Sequence, residues 1–257
     1  MISEKAEISP KAKIGSNVTI YPFVYIEDDV VIGDDCVIYP YVSVMNGTRL
    51  GRGNKVFQNT VLGADPQDFN YKGDPSQLVI GDNNIIRENV VINRATFSNG
   101  KTVIGNCNFL MEGVHVSHDT KIADNCVFGY GTKVAGDCEI SDGVICSSSV
   151  IVNPEVRIGN SVMVSSGCRV SKDVPPYIVA SGNPVLYSGV NKTILSGIGV
   201  SEKVQDHIAN AYRLVFHGQT SLIDGISQVE EQVPSGNEIE TIVRFLRGTR
   251  LGVIGKI

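Results

Sequence analysis

The amino-acid sequence predicts an all-β solenoid, a parallel β-helix, followed by an α-helical C-terminal domain. An aliphatic residue recurs at every sixth position over most of the chain, a period that neither a helix nor a single strand produces. The 257 residues include 27 glycines and no tryptophan, which is typical of repetitive β structure. After about residue 200, the sixfold spacing is replaced by helical spacing.

The sixfold repeat starts at Ile2 and keeps one phase as far as Val170. Of the 29 positions in this phase, 26 are apolar, and the exceptions are Asp68, Asp74 and Ser98. One apolar residue on each short, flat face is the hexapeptide pattern of a parallel β-helix, in which every coil stacks its apolar residues on those of the next. Three hexads in each coil give about nine coils.

A second position, four residues after each aliphatic one, usually carries a small residue. Four of the six cysteines, Cys36, Cys126, Cys138 and Cys168, occupy it, which favours a space-filling role. No CxxC pair occurs, so the sequence does not indicate a zinc or dithiol site.

Two segments, 63–79 and 94–103, interrupt the repeat without shifting its phase. We expect both to be loops that leave an otherwise intact coil. Loops held by a rigid scaffold are where binding residues gather.

The C-terminal part is predicted to be helical. Ser201 can cap a helix whose apolar side contains Val204 and Ile208, a shorter helix is expected at about 221–232, and Asn237 with Glu240 resembles a capping box. The predicted domains are therefore a β-helix over 1–187 and a helical domain over 188–257.

Charge and hydropathy exclude two classes of partner. The formal net charge is −5, which argues against nucleic-acid binding. No apolar run approaches the ~20 residues of a membrane span, and the first residues lack the apolar core of a signal peptide. We expect a cytoplasmic protein without stable membrane insertion.

The chain has four histidines, and two of them, His115 and His118, lie in one coil. His118 comes two residues after Val116, a predicted core position, so its ring should point outward at a corner, next to Asp119. An imidazole beside a carboxylate can act as a general base, whereas the alternative is an ordinary surface turn. A metal site is not expected, because no further histidine lies in the solenoid.

Several segments form a characteristic set. They are Pro66-Gln67-Asp68, Ile92-Asn93-Arg94, Phe109-Leu110-Met111, His115, His118-Asp119, Asp173-Val174-Pro175-Pro176-Tyr177, Gly189-Val190-Asn191, Asn210-Ala211-Tyr212-Arg213-Leu214 and Arg247-Gly248-Thr249-Arg250. With the hexads, they resemble the acyl-carrier-protein-dependent UDP-N-acetylglucosamine 3-O-acyltransferases of lipid A biosynthesis over essentially the whole chain.

The resemblance implies a left-handed β-helix and a homotrimer with active sites between its subunits. It implies transfer of a (3-hydroxy)acyl chain from acyl carrier protein to the 3-hydroxyl of UDP-N-acetylglucosamine, the first step of lipid A biosynthesis. The donor is the phosphopantetheine thioester of the carrier protein, and no cofactor or metal is implied.

The resemblance also implies roles for individual residues. His118 is the general base, Asp119 orients it, and the Gly136 N–H stabilises the oxyanion. Ser166 lies at the acyl-chain ruler, the level of the acyl groove at which side chains limit the length of the bound chain. The residues implied to contact the substrates are Gln67, Asp68, His115 and Asn191.

The sequence departs from the family at several substrate contacts. Asn70, Asp137 and Asn153 replace a lysine and two histidines, and Lys72 is the expected substitute for the lysine at a shifted position. Further departures are Pro154 in place of a glutamine, and Gly197 and Ile198 in place of two arginines. We therefore expect Lys72, Asp137 and Asn153 to contact the substrate with altered chemistry.

Docking of the acidic carrier protein would need a local basic patch, which Arg244, Arg247 and Arg250 could supply, although an ordinary solvated helix face is an equal alternative.

Three other functions remain open. One is an N-acyltransferase acting on an amino-sugar nucleotide. The N-acyltransferase of the same pathway carries an extra N-terminal domain, which is not expected here because the repeat begins at Ile2. The others are a CoA-dependent acetyltransferase, which usually has a shorter solenoid, and a non-catalytic β-helix scaffold, which would not need the His-Asp pair or the loops.

Overall fold

The computed structural model describes residues 1–217 and 221–256. In its solenoid part most strands have two residues and are joined by tight turns, because each hexad supplies one inward aliphatic residue and a polar corner. Most non-glycine residues at these corners with a left-handed φ are Asn, Asp or Ser, among them Asn17 at 57° and Asp35 at 60°. Asn and Asp tolerate this region because their short side chains bond locally.

The strands, in chain order, are β1 (Glu7–Ile8), β2 (Lys13–Ile14), β3 (Thr19–Ile20), β4 (Tyr25–Ile26), β5 (Val31–Ile32), β6 (Val37–Ile38), β7 (Ser43–Val44), β8 (Thr48–Leu50), β9 (Lys55–Val56), β10 (Val61–Ala64), β11 (Gln77–Ile80), β12 (Ile85–Ile86), β13 (Val91–Asn93), β14 (Lys101–Ile104), β15 (Phe109–Leu110), β16 (His115–Val116), β17 (Lys121–Ile122), β18 (Val127–Phe128), β19 (Lys133–Val134), β20 (Glu139–Ile140), β21 (Ile145–Cys146), β22 (Ile151–Val152), β23 (Arg157–Ile158), β24 (Met163–Val164), β25 (Arg169–Val170), β26 (Ile178–Ser181), β27 (Leu186–Val190) and β28 (Gly255–Lys256). The helices are α1 (Lys192–Gly197), α2 (Glu202–His217), α3 (Leu222–Gln232) and α4 (Asn237–Arg247).

Every third strand stacks in parallel, so the solenoid is a three-sided prism. Face A begins with β3-β6-β9 and ends with β26, β27 and β28, face B runs from β1 to β25, and face C runs from β2 to β23. The nine strands of face B agree with the predicted number of coils. Registers are regular, with Ile26 opposite Val44 and Val116 opposite Val134.

The core is the stack of aliphatic residues inside this prism. Ile20, Ile38 and Val116 have no exposed surface. The four cysteines of the small-residue position are buried, as the repeat predicts, and Cys146 is buried too. Burial raises the pKa of Cys126 and of Cys138 to about 12, which keeps these thiols protonated and unreactive.

Both interruptions are loops that leave the prism at the corner between faces B and C. The first connects β10 to β11 and the second connects β13 to β14, and around them Leu62 still pairs with Ile92. They are shorter than predicted, spanning 65–76 and 94–100, because residues 77–79 and 101–103 belong to strands.

The last coil extends beyond Val170, since Val179 in β26 pairs in parallel with Met163. Strand β27 then returns antiparallel to β26. The predicted domain boundary after residue 187 falls inside β27, and the first helical residue is Lys192.

The helices agree with the predicted spacing except in two details. Helix α2 begins directly after Ser201, and the Ser221 hydroxyl caps α3 by accepting a hydrogen bond from the Asp224 N–H. The predicted capping box at Asn237 is wrong, because the capping position of α4 is Gly236 and no side chain caps it. Helix α1 was not predicted.

In the described part of the chain, no helix combines the length and the apolar character that crossing a bilayer would require.

Candidate active site

The candidate site is built on the turn that joins β16 to β17 at the corner between faces B and C. Val116 points into the core with no exposed surface, so the turn begins from a fixed position. Asp119 occupies the left-handed corner with φ 57°, and its N–H donates to the Thr102 hydroxyl at 2.9 Å. His118 therefore projects outward, as predicted, yet only 14% of its side chain is exposed.

Asp119 lies beside the His118 ring. Its Oδ2 lies 3.0 Å from His118 Nδ1 and accepts a second hydrogen bond, at 2.9 Å, from the Thr96 N–H. A carboxylate beside Nδ1 favours the tautomer in which that nitrogen carries the proton, which leaves the lone pair on Nε2. The imidazole is thus arranged to accept a proton at Nε2.

Asp68, from the first loop, lies on the other side of the ring. Its Oδ2 is 4.0 Å from His118 Nε2 and accepts a hydrogen bond from the Thr96 hydroxyl at 3.1 Å. Its Oδ1 accepts from the Asn70 backbone N–H at 2.9 Å and from the Asn70 amide at 3.2 Å. These donors, with the Asn70 N–H foremost, hold the pKa of Asp68 below its usual value, so the carboxylate is ionised.

Gly136 lies one coil further along and faces the His118 ring. A Cβ at this position would lie 2.5 Å from His118 Cε1 and 2.7 Å from Nε2, so the ring can occupy this place only beside a glycine. Within residues 1–217 and 221–256, the Gly136 N–H forms no hydrogen bond, whereas the next N–H, of Asp137, donates to the His118 carbonyl at 3.1 Å. A backbone N–H that is free in this way is the type of donor that can stabilise an oxyanion.

Two further ionisable groups border this centre. Partial burial, together with the neighbouring Asp119 carboxylate, raises the pKa of Asp137 above its ordinary value. Burial, followed by the charge of Lys133, lowers the pKa of His115, whose strand pairs with that of Lys133. His115 is therefore neutral near neutral pH and can offer one donor and one acceptor.

A polar groove of about 730 Å³ leads from Asp119 along the corner towards α4. Its lining residues are Asp119, Lys121, Asp137, Glu139, Glu155, Arg157, Asp173, Arg244, Gly248 and Arg250. Arg157 is fixed over the Phe245 ring at 4.4 Å, which ties the groove to the helical part.

The remaining predicted residues are spread over the prism. Gln67 and Lys72 lie on the first loop, as Asp68 does. Gln67 is exposed, and Lys72 donates a hydrogen bond to the Phe69 carbonyl at 2.9 Å. Asn153 lies one coil beyond Gly136 at the same corner and accepts from Arg169 at 3.2 Å.

Ser166 and Asn191 lie away from that corner. Ser166 is exposed on the turn between β24 and β25, at the corner between faces A and B. Asn191 is 3% exposed, and its amide donates to the Ser161 carbonyl at 3.0 Å, at the corner between faces C and A. One chain therefore does not bring these two residues to His118, and their roles stay predictions.

The three C-terminal arginines border two pockets, and Arg244 lines both of them. Arg247 donates to both carboxylate oxygens of Glu230 at 2.8 Å, while Arg244 and Arg250 line the groove. Their role in docking stays a prediction.

Thr96 is the contact residue that the sequence did not indicate. It has no exposed surface and bonds to both carboxylates beside His118. The only sign in the sequence that Thr96 could contact the site was its place in the second loop. The hexad repeat is interrupted there and does not predict the direction of its side chain.

The described residues contain no group of three or more His, Cys, Asp or Glu side chains arranged to hold a metal ion.

Two family models match the chain. Residues 173–254 match the second domain of UDP-N-acetylglucosamine O-acyltransferase, and residues 11–46 and 101–136 match the bacterial transferase hexapeptide repeat.

Relatives match over the full length. The acyl-[acyl-carrier-protein]–UDP-N-acetylglucosamine O-acyltransferase of Thermodesulfovibrio yellowstonii is 34% identical over 98% of both chains. The crystal structure of LpxA, a UDP-N-acetylglucosamine acyltransferase from Bacteroides fragilis, is 48% identical over 99% of this chain and 100% of that chain, with a TM-score of 0.97. The Francisella novicida UDP-N-acetylglucosamine acyltransferase is 32% identical over 100% of this chain and 94% of that chain, with a TM-score of 0.96. These similarities confirm the predicted fold, a left-handed parallel β-helix with a helical C-terminal part.

Proposed function

We infer the function from one premise: the chain belongs to the acyl-[acyl-carrier-protein]–UDP-N-acetylglucosamine O-acyltransferase family and is an acyltransferase. We propose that it transfers a (3-hydroxy)acyl chain from the phosphopantetheine thioester of acyl carrier protein to the 3-hydroxyl of UDP-N-acetylglucosamine, the first step of lipid A biosynthesis. The observation that carries this proposal is the His118 ring held between Asp119 and Asp68 against the bare backbone of Gly136.

In the proposed reaction, His118 Nε2 takes the proton of the sugar hydroxyl as the hydroxyl oxygen attacks the thioester carbonyl. Asp119, at 3.0 Å from Nδ1, keeps the ring in the required tautomer and stabilises the imidazolium that forms. The carbonyl oxygen becomes an oxyanion, which accepts a hydrogen bond from the Gly136 N–H.

The tetrahedral intermediate then collapses. The carbon–sulfur bond breaks, and the proton on His118 passes to the departing thiolate of the phosphopantetheine. The products are the 3-O-acylated sugar nucleotide and the free carrier-protein thiol, and the imidazole returns to its neutral form.

We further propose that the sugar lies between the first loop and the coils that follow His118. Asp68 and His115 contact the sugar, while Gln67 and Lys72 of the loop and Asp137 and Asn153 of the next two coils contact the nucleotide. Asp137, which replaces a family histidine, should bind the acceptor differently from that histidine. A carboxylate repels a diphosphate unless it is protonated or bonded to a hydroxyl.

We also propose a homotrimer as the active unit. Within one chain, His118 and Ser166 lie at different corners of the prism, on either side of face B. Both can line one groove only if neighbouring chains supply them, and concave sites commonly form at such boundaries.

A 3-amino sugar nucleotide is the second candidate acceptor. The carboxylates of Asp68, Asp119 and Asp137 all lie near His118, as the charge effects on Asp137 indicate. Such a setting attracts an ammonium group, which must lose its proton before it can attack the thioester.

The test is acyl transfer by the purified protein from a panel of 3-hydroxyacyl carrier-protein thioesters to either acceptor. We expect transfer to UDP-N-acetylglucosamine, reduced about 10²–10⁴-fold in His118→Ala with the fold intact. Transfer only to the 3-amino acceptor would replace the first proposal by the second. Activity that survives in His118→Ala would reject the proposed base.

A further inference from the structure

The two carboxylates beside His118 are held by one residue. Thr96 donates its backbone N–H to Asp119 Oδ2 at 2.9 Å and its hydroxyl to Asp68 Oδ2 at 3.1 Å. Each of these oxygens is also the one that faces a nitrogen of the His118 ring, at 3.0 Å for Asp119 and 4.0 Å for Asp68.

Thr96 is itself rigidly placed. It has no exposed surface, and the residues around it are bonded to the first loop and the coil. Arg94 donates to the Ala64 carbonyl at 3.0 Å, Asn99 donates to the Pro75 carbonyl at 3.0 Å, and the Ser76 hydroxyl bonds to the Ala95 carbonyl. The second loop therefore acts as a fixed support under the first loop.

We propose that Thr96 is a positioning residue that sets the place of Asp68 relative to His118 Nε2, and through it the binding of the acceptor sugar. The inference rests on the proposed function, in which Nε2 meets the sugar hydroxyl. Asp68 keeps its two bonds from Asn70 on Oδ1 alone, so without Thr96 its Oδ2 can rotate away from the ring.

The geometry allows the hydroxyl to be tested separately from the backbone. Thr96→Val removes the bond to Asp68 and keeps the shape of the side chain, while the N–H that bonds Asp119 remains. Thr96→Ser restores the hydroxyl. Thr60→Val serves as a matched control, because Thr60 is equally buried and donates to the Arg87 carbonyl at 2.7 Å on another corner.

We expect Thr96→Val to raise the KM for UDP-N-acetylglucosamine about tenfold and to lower kcat less, because a bond to a charged group is lost on the acceptor side. Thr96→Ser and Thr60→Val should keep the wild-type KM. An unchanged KM in Thr96→Val, or an equal defect in Thr96→Ser, would overturn the inference.

A second measurement does not depend on turnover. The Thr96 hydroxyl is one of the donors that lower the pKa of Asp68, so its loss should raise that pKa, as read from the Asp68 carboxyl carbon by NMR. An Asp68 titration identical to wild type in Thr96→Val would overturn the inference even if the wild type did not use this acceptor. Failure of the wild type to acylate UDP-N-acetylglucosamine would instead reject the proposed function.

Discussion

The His118 ring and Gly136 share one small space. The ring is placed by its turn and by Asp119, and the coil above it has no side chain at position 136. A methyl group would lie 2.5 Å from Cε1 and 2.7 Å from Nε2, closer than atoms can approach without a shift. The backbone of Gly136 cannot yield easily, because the Glu155 N–H donates to its carbonyl at 3.1 Å.

Gly136→Ala should therefore displace the His118 ring and lower kcat about 100-fold, since misplacing a reacting group by about 1 Å can cost that much. The melting temperature should fall only slightly. Steady-state kinetics and circular dichroism measure the two effects.

The control for this prediction is Gly236→Ala, which lies at an extended φ of 177° where an added methyl group meets only the end of Glu238, at 3.9 Å. Equal activity of Gly136→Ala and wild type would show that the ring does not rely on this contact.

The hexad phase predicted the direction of His118, because the position two residues after a buried aliphatic one must lie at a corner. Gly136 was predicted through the family resemblance, and the structure places it one coil further along, facing the His118 ring. The hexad phase could not place Asp68 or Thr96, because loops follow no period and the contact between two loops is a tertiary property. Asp68 was predicted only through the family resemblance, and Thr96 was missed.

At the scale of elements, a buried ladder of asparagines joins three successive coils. Asn54 Oδ1 accepts from the Asn84 amide at 3.0 Å, and Asn84 Oδ1 accepts from the Asn108 N–H at 2.8 Å. The Asn84 amide also donates to the Gly105 carbonyl at 2.9 Å. All three residues are at most 1% exposed, so each bond replaces one that water would make.

Asn84→Ala should lower the free energy of unfolding by about 3 kcal/mol, because it removes three buried hydrogen bonds and leaves the Asn108 N–H and the Gly105 carbonyl without these partners. Denaturant unfolding followed by circular dichroism measures the change. The loss should be similar at all pH values between 5 and 8, because no titrating group takes part.

Asn237→Ala is the matched control, since this asparagine is exposed and does not cap α4. Its stability should equal that of wild type. A loss in the control as large as in Asn84→Ala would mean that the ladder is not the cause, and would restore the capping role predicted for Asn237.

The elements that the sequence predicted are those with a period. The strands repeat every six residues, and α2 and α3 have an apolar side preceded by a serine. Helix α1, from Lys192 to Gly197, is too short to show a period, and its capping residue, Asn191, uses its side chain to bond Ser161 instead. Its position depends on that tertiary contact, which the local sequence does not reveal.

At the scale of the whole molecule, the residues implied in the reaction lie at different corners of the prism, and Asn191 lies between faces C and A. His118, Gly136 and Asn153 share the corner between faces B and C, whereas Ser166 lies between faces A and B. A rigid stack of paired strands separates these corners, and its bonds cannot rearrange to bring them together. An active site that uses both must therefore lie between two chains.

This geometry predicts complementation between two inactive variants. His118→Ala lacks the base, and Ser166→Trp should block the acyl groove for long chains, so each alone should be inactive. In a mixed trimer, a site that takes His118 from one chain and Ser166 from its neighbour is intact. In a trimer that contains both variants, one site in three, about one third of the total, takes an intact His118 and an intact Ser166.

Co-expression of the two variants with different affinity tags, followed by purification on both tags, gives the mixed oligomer. We expect the activity of this preparation to approach that fraction of the wild-type rate, and its mass in solution to be that of three chains. Co-expression of His118→Ala with a chain that carries both His118→Ala and Ser166→Trp is the control, because it forms no intact site and should stay inactive.

An inactive mixed trimer, built from chains that each bind acyl carrier protein, would mean that one chain supplies the whole site. In that case Ser166 could not be the ruler, because the prism holds it at a different corner from His118.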